Sequence, residues 1–196
     1  SALYLRLAAS KNKEGILQLA QKGVVIQHPE DVIKDTYTLE FLGLPEKKLY
    51  KERDLEQKLI DNLQTFLLEL GKGFAFIGRQ YSLTINNHHF YVDLVFYHRI
   101  LKCFVLIDLK KNAVKHKDIG QMNMYMGYFA KEENTIDDNP PIGIILSRTK
   151  DELMVEYATF GMDSQLFVSK YELYLPNKEE LKRLVTGVIA SENNLT

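Results

Sequence analysis

RQYSLTINNHHFYVDLVFYHRILKCFVLIDLK, residues 79–110, reads as three strands in a row. Arg79 to Ile85 alternates apolar and polar residues, and Phe74 to Ile77 extends the run upstream. Asn86-Asn87 interrupts it, a pair suited to a tight hairpin because Asn tolerates positive φ. In the second run the two-residue period puts Phe90, Val92, Leu94 and Phe96 on one face and Tyr91, Asp93, Val95 and Tyr97 on the other. The third run, Cys103 to Lys110, is apolar until Asp108. Asp108 and Lys110 leave it on one face, with Leu109 pointing the opposite way.

The two acids on this hairpin can meet. If residues 98–102 turn the chain tightly around Ile100-Leu101, position 93 lies opposite position 108 to within one residue. Opposed side chains in antiparallel strands stand about 4.5–5.5 Å apart at Cβ. Two carboxylates at that spacing repel each other and are costly to bury unpaired. A hard divalent cation relieves both costs, since Mg²⁺ (or Mn²⁺) is commonly held by one or two carboxylates and waters. Lys110, on the same face as Asp108, adds an ammonium beside it. Acid, acid and lysine so placed suit phosphodiester cleavage.

Asp93, fourteen intervening residues and then Asp108-Leu109-Lys110 resemble the D…(D/E)-x-K core of PD-(D/E)XK nucleases. The longer runs DLEQKLIDNLQTFLLELGKGFAFIGRQY (54–81), FYVDLVFYHR (90–99) and GQMNMYMGYF (120–129) resemble the bacterial YhcG-type branch. The resemblance covers roughly residues 33–176. It implies an α/β fold of the restriction-endonuclease-like kind, a mixed central sheet flanked by helices. It also implies metal-dependent cleavage of nucleic acid, DNA first, with Asp93, Asp108 and Lys110 as catalytic residues. The Leu109 carbonyl joins the metal ligands, and Glu56 matches an acid that the preceding helix contributes in this superfamily. Gln121 and Tyr125, four apart on one helix flank, resemble its Gln-x-x-x-Tyr motif, whose Gln points at the active site. Two positions depart from the pattern: Val92 stands where a Pro often precedes the first acid, and Asp108 replaces the Glu more common in this branch.

Composition narrows the partners. The 25 basic and 26 acidic residues of this 196-residue chain leave a formal charge of −1, so nucleic acid must be met by a local patch. Arg79, Lys111, Lys115 and Lys117 are near enough in sequence to form it, with Tyr125 beside them; ordinary surface charge is the competing reading. Cys103, the single cysteine, reads as a small buried hydrophobe and suits a reducing cytoplasm. No apolar run reaches the roughly 18 residues of a membrane span. His88-His89, His98 and His116 lack zinc spacing, and turn or surface roles account for them.

Before the strands, residues 1–45 read as a helical segment whose uncapped apolar opening suggests the end of an upstream module; within it, Thr36 to Leu44 is a helical turn or docking segment. The nuclease domain is then 46–196. Asp54 caps a helix running to Leu70, with Gln57 completing the box. Glu56 lies on its core-facing stripe, where an acid needs a partner; the plainer account is a first-turn acid favoured by the helix dipole. After the strands come a helix over 117–130 with core stripe Ile119, Met122, Met126 and Phe129, a buried strand at 142–146, and a helix capped by Thr149 and Glu152. A strand at 164–170 and a terminal helix at 177–189 follow. A catalytically silent binding or assembly module on the same fold is the rival reading. Recognition of branched or RNA structures and self-association are left open.

Overall fold

The computed structural model describes residues 26–44 and 50–173. The expected helices at 1–22 and 177–189 lie outside these residues. Six strands form one mixed sheet in the order β1-β6-β5-β4-β3-β2. They are β1 Thr36–Thr38, β2 Phe74–Ile85, β3 His88–His98, β4 Cys103–Lys110, β5 Ile142–Ser147 and β6 Gln165–Glu172. β2, β3 and β4 are antiparallel neighbours, whereas β4, β5, β6 and β1 run parallel. Helices α1 (Glu52–Asp61) and α2 (Leu63–Leu70) precede the hairpins. Helix α3 (His116–Tyr128) joins β4 to β5, and α4 (Glu152–Thr159) joins β5 to β6.

Asn86 and Asn87 turn the first hairpin at φ +48° and +62°, the left-handed backbone that favours Asn. The second hairpin pairs His98 with Cys103 and Leu94 with Ile107. Continued by one residue, that register sets position 93 against position 108, as the hairpin length implies. The ladder stops at Leu94 and Ile107, so the two acids stand where β3 and β4 separate.

The sheet divides two apolar layers. Leu55, Leu59 and Phe66 of α1 and α2 pack with Leu94, Phe96, Val105, Ile107 and Leu109 on one side. Ile119, Met122, Tyr125 and Met126 of α3 pack with Val95, Leu106 and Ile145 on the other. The expected core stripe of α3 is therefore buried as read, including Phe129. Gly143 allows α3 this close: a Cβ there would stand 2.6 Å from Met126 Sδ and 2.7 Å from Met122 Cγ.

Several local expectations need correction. Phe90 and Val92 pack in the α3 layer while Leu94 and Phe96 pack in the α1 layer, so the second run does not hold one face throughout. The face changes where Gln80 and Asp93 are skipped between the pairs Arg79–Leu94 and Tyr81–Val92, and a separate register shift lies between Phe76 and Gly78. The helix expected through Leu70 breaks at Asn62, whose side-chain amide donates to the Lys58 carbonyl at 2.9 Å and competes with the helical ladder. Asp54 is not the cap but the third residue of α1, its carboxylate accepting the Lys51 N–H at 2.9 Å. Asp151, not Thr149, caps α4 by accepting the Met154 N–H. His98 is buried, not superficial: its Nε2 bonds the Lys72 carbonyl at 3.0 Å and its Nδ1 accepts the Leu101 N–H at 3.1 Å.

The N-terminal boundary also moves. Thr36–Thr38 is not helical but pairs with Lys170–Glu172 as a sheet strand. Tyr37, Leu39 and Leu42 are core residues. Residues 26–173 make one compact unit, so a boundary at 45 falls inside it.

Candidate active site

The fork between β3 and β4 is built by one side chain taking the place of a missing ladder bond. Asp93 Oδ2 accepts the Leu109 N–H at 2.8 Å. This is the strand-acid-to-backbone bond that a purely structural Asp93 would make, yet it uses only one of the two oxygens. Asp108, 7% exposed, follows β4's alternation onto the α3 side and meets Lys110 Nζ at 2.7 Å. Leu109 is buried in the opposite layer, so its side chain anchors the strand while its neighbours face the fork.

Burial dominates the electrostatics. It pushes Asp108 up to about 7, helped by the charge of Asp93 and only partly opposed by Lys110. Asp93 is also raised, again chiefly by burial, with the Leu109 N–H bond pulling the other way. For Lys110, burial alone favours the neutral amine, but Asp108 and then Asp93 outweigh it and the net shift is upward. Lys110 is therefore an ammonium beside these acids, suited to orienting and stabilising negative charge rather than to accepting a proton.

Glu56 reaches the fork from α1 and is 8% exposed. It lies beyond the first turn, where Glu52 and Asp54 sit, so the dipole account does not explain it. Its partner is Gln80, which sequence reading passed over. Gln80 Nε2 donates to Glu56 Oε2 at 2.8 Å and to Asp93 Oδ1 at 3.0 Å. The backbone of Gln80 has φ +44°, rare for a residue with a side chain and typical of functional positions.

Two clefts open here. The larger, about 470 Å³, is lined by Glu56, Gln80, Asp93 and Lys110, with Glu52, Arg53, Gln57 and Arg79 around them. Arg79 Nη1 donates to Gln57 Oε1 at 2.8 Å, which holds its guanidinium at this rim. The smaller, about 200 Å³, shares Glu52 and Lys110 with the first and adds Lys115 and Lys117. Three of the four expected rim cations thus face this region, and Arg53 is an addition. Lys111 is turned aside, its Nζ 3.4 Å from the Tyr50 carbonyl and its N–H 3.2 Å from Glu52 Oε1.

From the other side of the sheet, α3 contributes Tyr125, buried and with its phenol pushed up to about 12 by burial and by Asp108 and Asp93. Gln121, exposed on α3, donates from Nε2 to Tyr125 Oη at 2.6 Å. The pair is joined as the four-residue spacing implies. Tyr125 feels both acids, but Gln121 spends its amide on Tyr125.

Among the described residues no three carboxylate or imidazole groups stand together as a ready-made metal cage. The donor set still fits a hard cation. Asp93 and Asp108 stand close enough for the charge of Asp93 to raise Asp108, and Glu56 is one amide group from Asp93. Mg²⁺ requires only one or two carboxylates plus waters. Lys110 meets Asp108 Oδ2, and the Gln80 amide donates to Glu56 Oε2 and Asp93 Oδ1.

The chain is matched by a family model, that of the YhcG PDDEXK nuclease domain, over residues 30–186. The chain belongs to that family. Its relatives include "Putative nuclease YhcG" of Escherichia coli (strain K12), 41% identical over 179 residues. That match covers 91% of this chain and 47% of the relative, so the chain spans about half the length of the curated relative it matches. Among solved structures, a repair endonuclease from Pyrococcus abyssi is similar at 18% identity and a TM-score of 0.46, over 66% of this chain and 50% of that one. An EndoMS–dsDNA complex is similar at 14% identity and a TM-score of 0.44, over 68% of this chain and 50% of that one. At that distance neither bears on substrate or mechanism here. The restriction-endonuclease-like class follows from the family match and the mixed sheet. In the YhcG PDDEXK family the chain presents a nuclease domain; among its described residues no helix is long and apolar enough to cross a membrane.

Proposed function

We propose that the fork hydrolyses phosphodiester bonds of DNA with a divalent cation, Mg²⁺ or Mn²⁺. The observation that supports this most is buried Asp108 meeting Lys110 at 2.7 Å beside half-buried Asp93, with Asp108 raised to about 7. Two acids kept at such cost, on a pinned strand fork in a nuclease-family chain, suit a cationic ligand better than a purely structural role. Asp93, Asp108 and the Leu109 carbonyl would hold the cation, with Glu56 as a lesser member. When bound, it supplies Lewis-acid polarisation of a phosphate oxygen and an acidified water.

The protein's own groups do the rest. Lys110, held as an ammonium, stabilises negative charge developing at phosphorus. Leu109 N–H keeps Asp93 aimed across the fork. Tyr125 fixes Gln121 at the α3 edge, where its remaining amide oxygen is available to position water or substrate. Arg79 and Arg53 on one cleft and Lys115 and Lys117 on the other give phosphates two cationic banks.

The rival, a silent binding module, draws support from one observation: Lys110 and Gln80 bond to oxygens of all three acids. A cleavage screen with Mg²⁺ and Mn²⁺ over single-stranded, duplex, nicked and branched DNA, with matched RNA, separates them. Metal-dependent DNA cleavage lost on chelation is expected. Binding without cleavage of any substrate would favour the silent module, and cleavage of RNA alone would replace the substrate class.

A further inference from the structure

Gln80 is the one residue at the fork whose backbone is forced into a conformation that its type rarely adopts. It stands inside β2, between Arg79 and Tyr81, which both pair normally with β3. At φ +44° it drops out of the ladder together with Asp93. A residue with a Cβ holds this backbone only where its surroundings over-determine it. What the deviation achieves is visible in the side chain. Its amide enters the cleft and bonds two carboxylates from different elements, Glu56 of α1 at 2.8 Å and Asp93 of β3 at 3.0 Å. Ionised carboxylates only accept hydrogen bonds, so the NH₂ end of the amide is the end that faces them. One nitrogen carrying two donors therefore satisfies two anions at once.

We propose that Gln80 is a placeholder for the cation: its NH₂ bridges Glu56 and Asp93 and competes with metal for the same carboxylate oxygens. This rests on the reading that a divalent cation is held at the fork. Gln80 is then a positioning residue. It keeps the two acids together before metal arrives, when their mutual repulsion would otherwise push α1 away from β3. It also sets the metal affinity below what the acids alone would give, because entry of the cation must break both of its hydrogen bonds. Lys110 performs the corresponding service for Asp108, but as a charged group that the reaction itself uses. Gln80 is neutral, so removing it leaves the site's charge unchanged.

The test is isothermal titration with Mn²⁺ alone, without nucleic acid, on the full chain. Gln80→Gly removes the amide and accepts the left-handed backbone without strain. Gln80→Met keeps the length of the side chain but donates nothing. Both should bind Mn²⁺ more tightly than the parent, by about tenfold, the scale of one hydrogen bond to a charged group. In metal-free buffer Gln80→Met should also melt lower than the parent, and Mn²⁺ should raise its melting temperature by more. Unchanged or weaker Mn²⁺ binding in both variants would overturn the proposal. Tightening in Gln80→Gly but not in Gln80→Met would overturn it as well, since bulk rather than hydrogen bonding would then be the obstacle. Asp93→Ala is the control for the underlying reading. If the parent binds no Mn²⁺, or Asp93→Ala binds it equally well, the metal site itself is wrong. If those controls behave and Gln80 has no effect, only the placeholder fails.

Discussion

Asp93 Oδ2 and the Leu109 N–H, 2.8 Å apart, join β3 to β4 at the point where their ladder ends. One carboxylate thus has a structural oxygen and a chemical one. Asp93→Asn retains an acceptor for Leu109, whereas Asp93→Ala leaves a backbone donor bare at a cost of about 1–3 kcal/mol. Urea unfolding without metal should therefore show Asn near the parent and Ala clearly destabilised. Both should lose Mn²⁺ binding and cleavage. Retained cleavage in Asp93→Asn would remove the charge of Asp93 from the mechanism.

Asp108 makes stability depend on pH in a definite direction. Its carboxyl is raised from 3.8 to about 7 by folding, so the folded chain holds a proton that the unfolded chain releases in between. Stability from this group is present below the lower value and is lost as pH rises through the upper one. Comparing the metal-free parent with Asp108→Asn at several pH values isolates it: the parent should lose stability relative to the variant between about pH 4 and about pH 7. Metal competes with the same proton, so Mn²⁺ affinity should climb over that range. A flat difference between parent and variant would mean that Asp108 is an ordinary carboxylate.

Lys110→Ala should abolish cleavage. Because lysine is not a ligand to a hard cation, divalent-ion binding should survive or tighten as Asp108 loses its partner. Loss of metal binding with the protein still folded would make Lys110 part of the metal site's construction rather than of the reaction.

Glu56→Gln should slow turnover, and higher metal concentration should recover part of the loss. Since Glu56 lies beyond the first turn of α1, removing its charge should change stability little through the helix dipole. Unchanged turnover at low metal would restrict Glu56 to holding Gln80.

Much of this site was legible in the sequence. Hairpin length alone sets 93 against 108, and strand alternation alone puts Asp108 with Lys110 and apart from Leu109. The four-residue spacing of Gln121 and Tyr125 is a property of any helix. Gln80 was not legible, because nothing in a glutamine signals positive φ. The same irregularity moves Val92 and Leu94 into different layers, which strict alternation cannot anticipate. β1 was missed because three residues carry too little pattern to mark a strand. Its loss matters: Tyr37, Leu39 and Leu42 are core residues, each worth about 1.5–3 kcal/mol when buried. Together they rival the whole stability of a domain, about 5–15 kcal/mol. A chain starting near Lys47, just past the boundary read from the sequence, should therefore be unstable or unfolded by circular dichroism.

On the proposed reading, the cationic banks of the clefts should set the salt dependence of DNA binding. With Ca²⁺ as the non-cleaving cation, three to five phosphate contacts imply a log–log slope of roughly −3 to −4.5. Replacing Lys115 and Lys117 together by Ala should flatten it by about one to two units. Lys111→Ala should do less, since that ammonium is turned to the Tyr50 carbonyl.

The most direct measurement is single-turnover cleavage of the best DNA substrate by the parent and by Asp108→Asn, in Mg²⁺ and in EDTA, with folding of both checked beforehand. The fork predicts cleavage by the parent in Mg²⁺ only and none by folded Asp108→Asn in either buffer. Cleavage by the parent in EDTA, or full activity in Asp108→Asn, would contradict it.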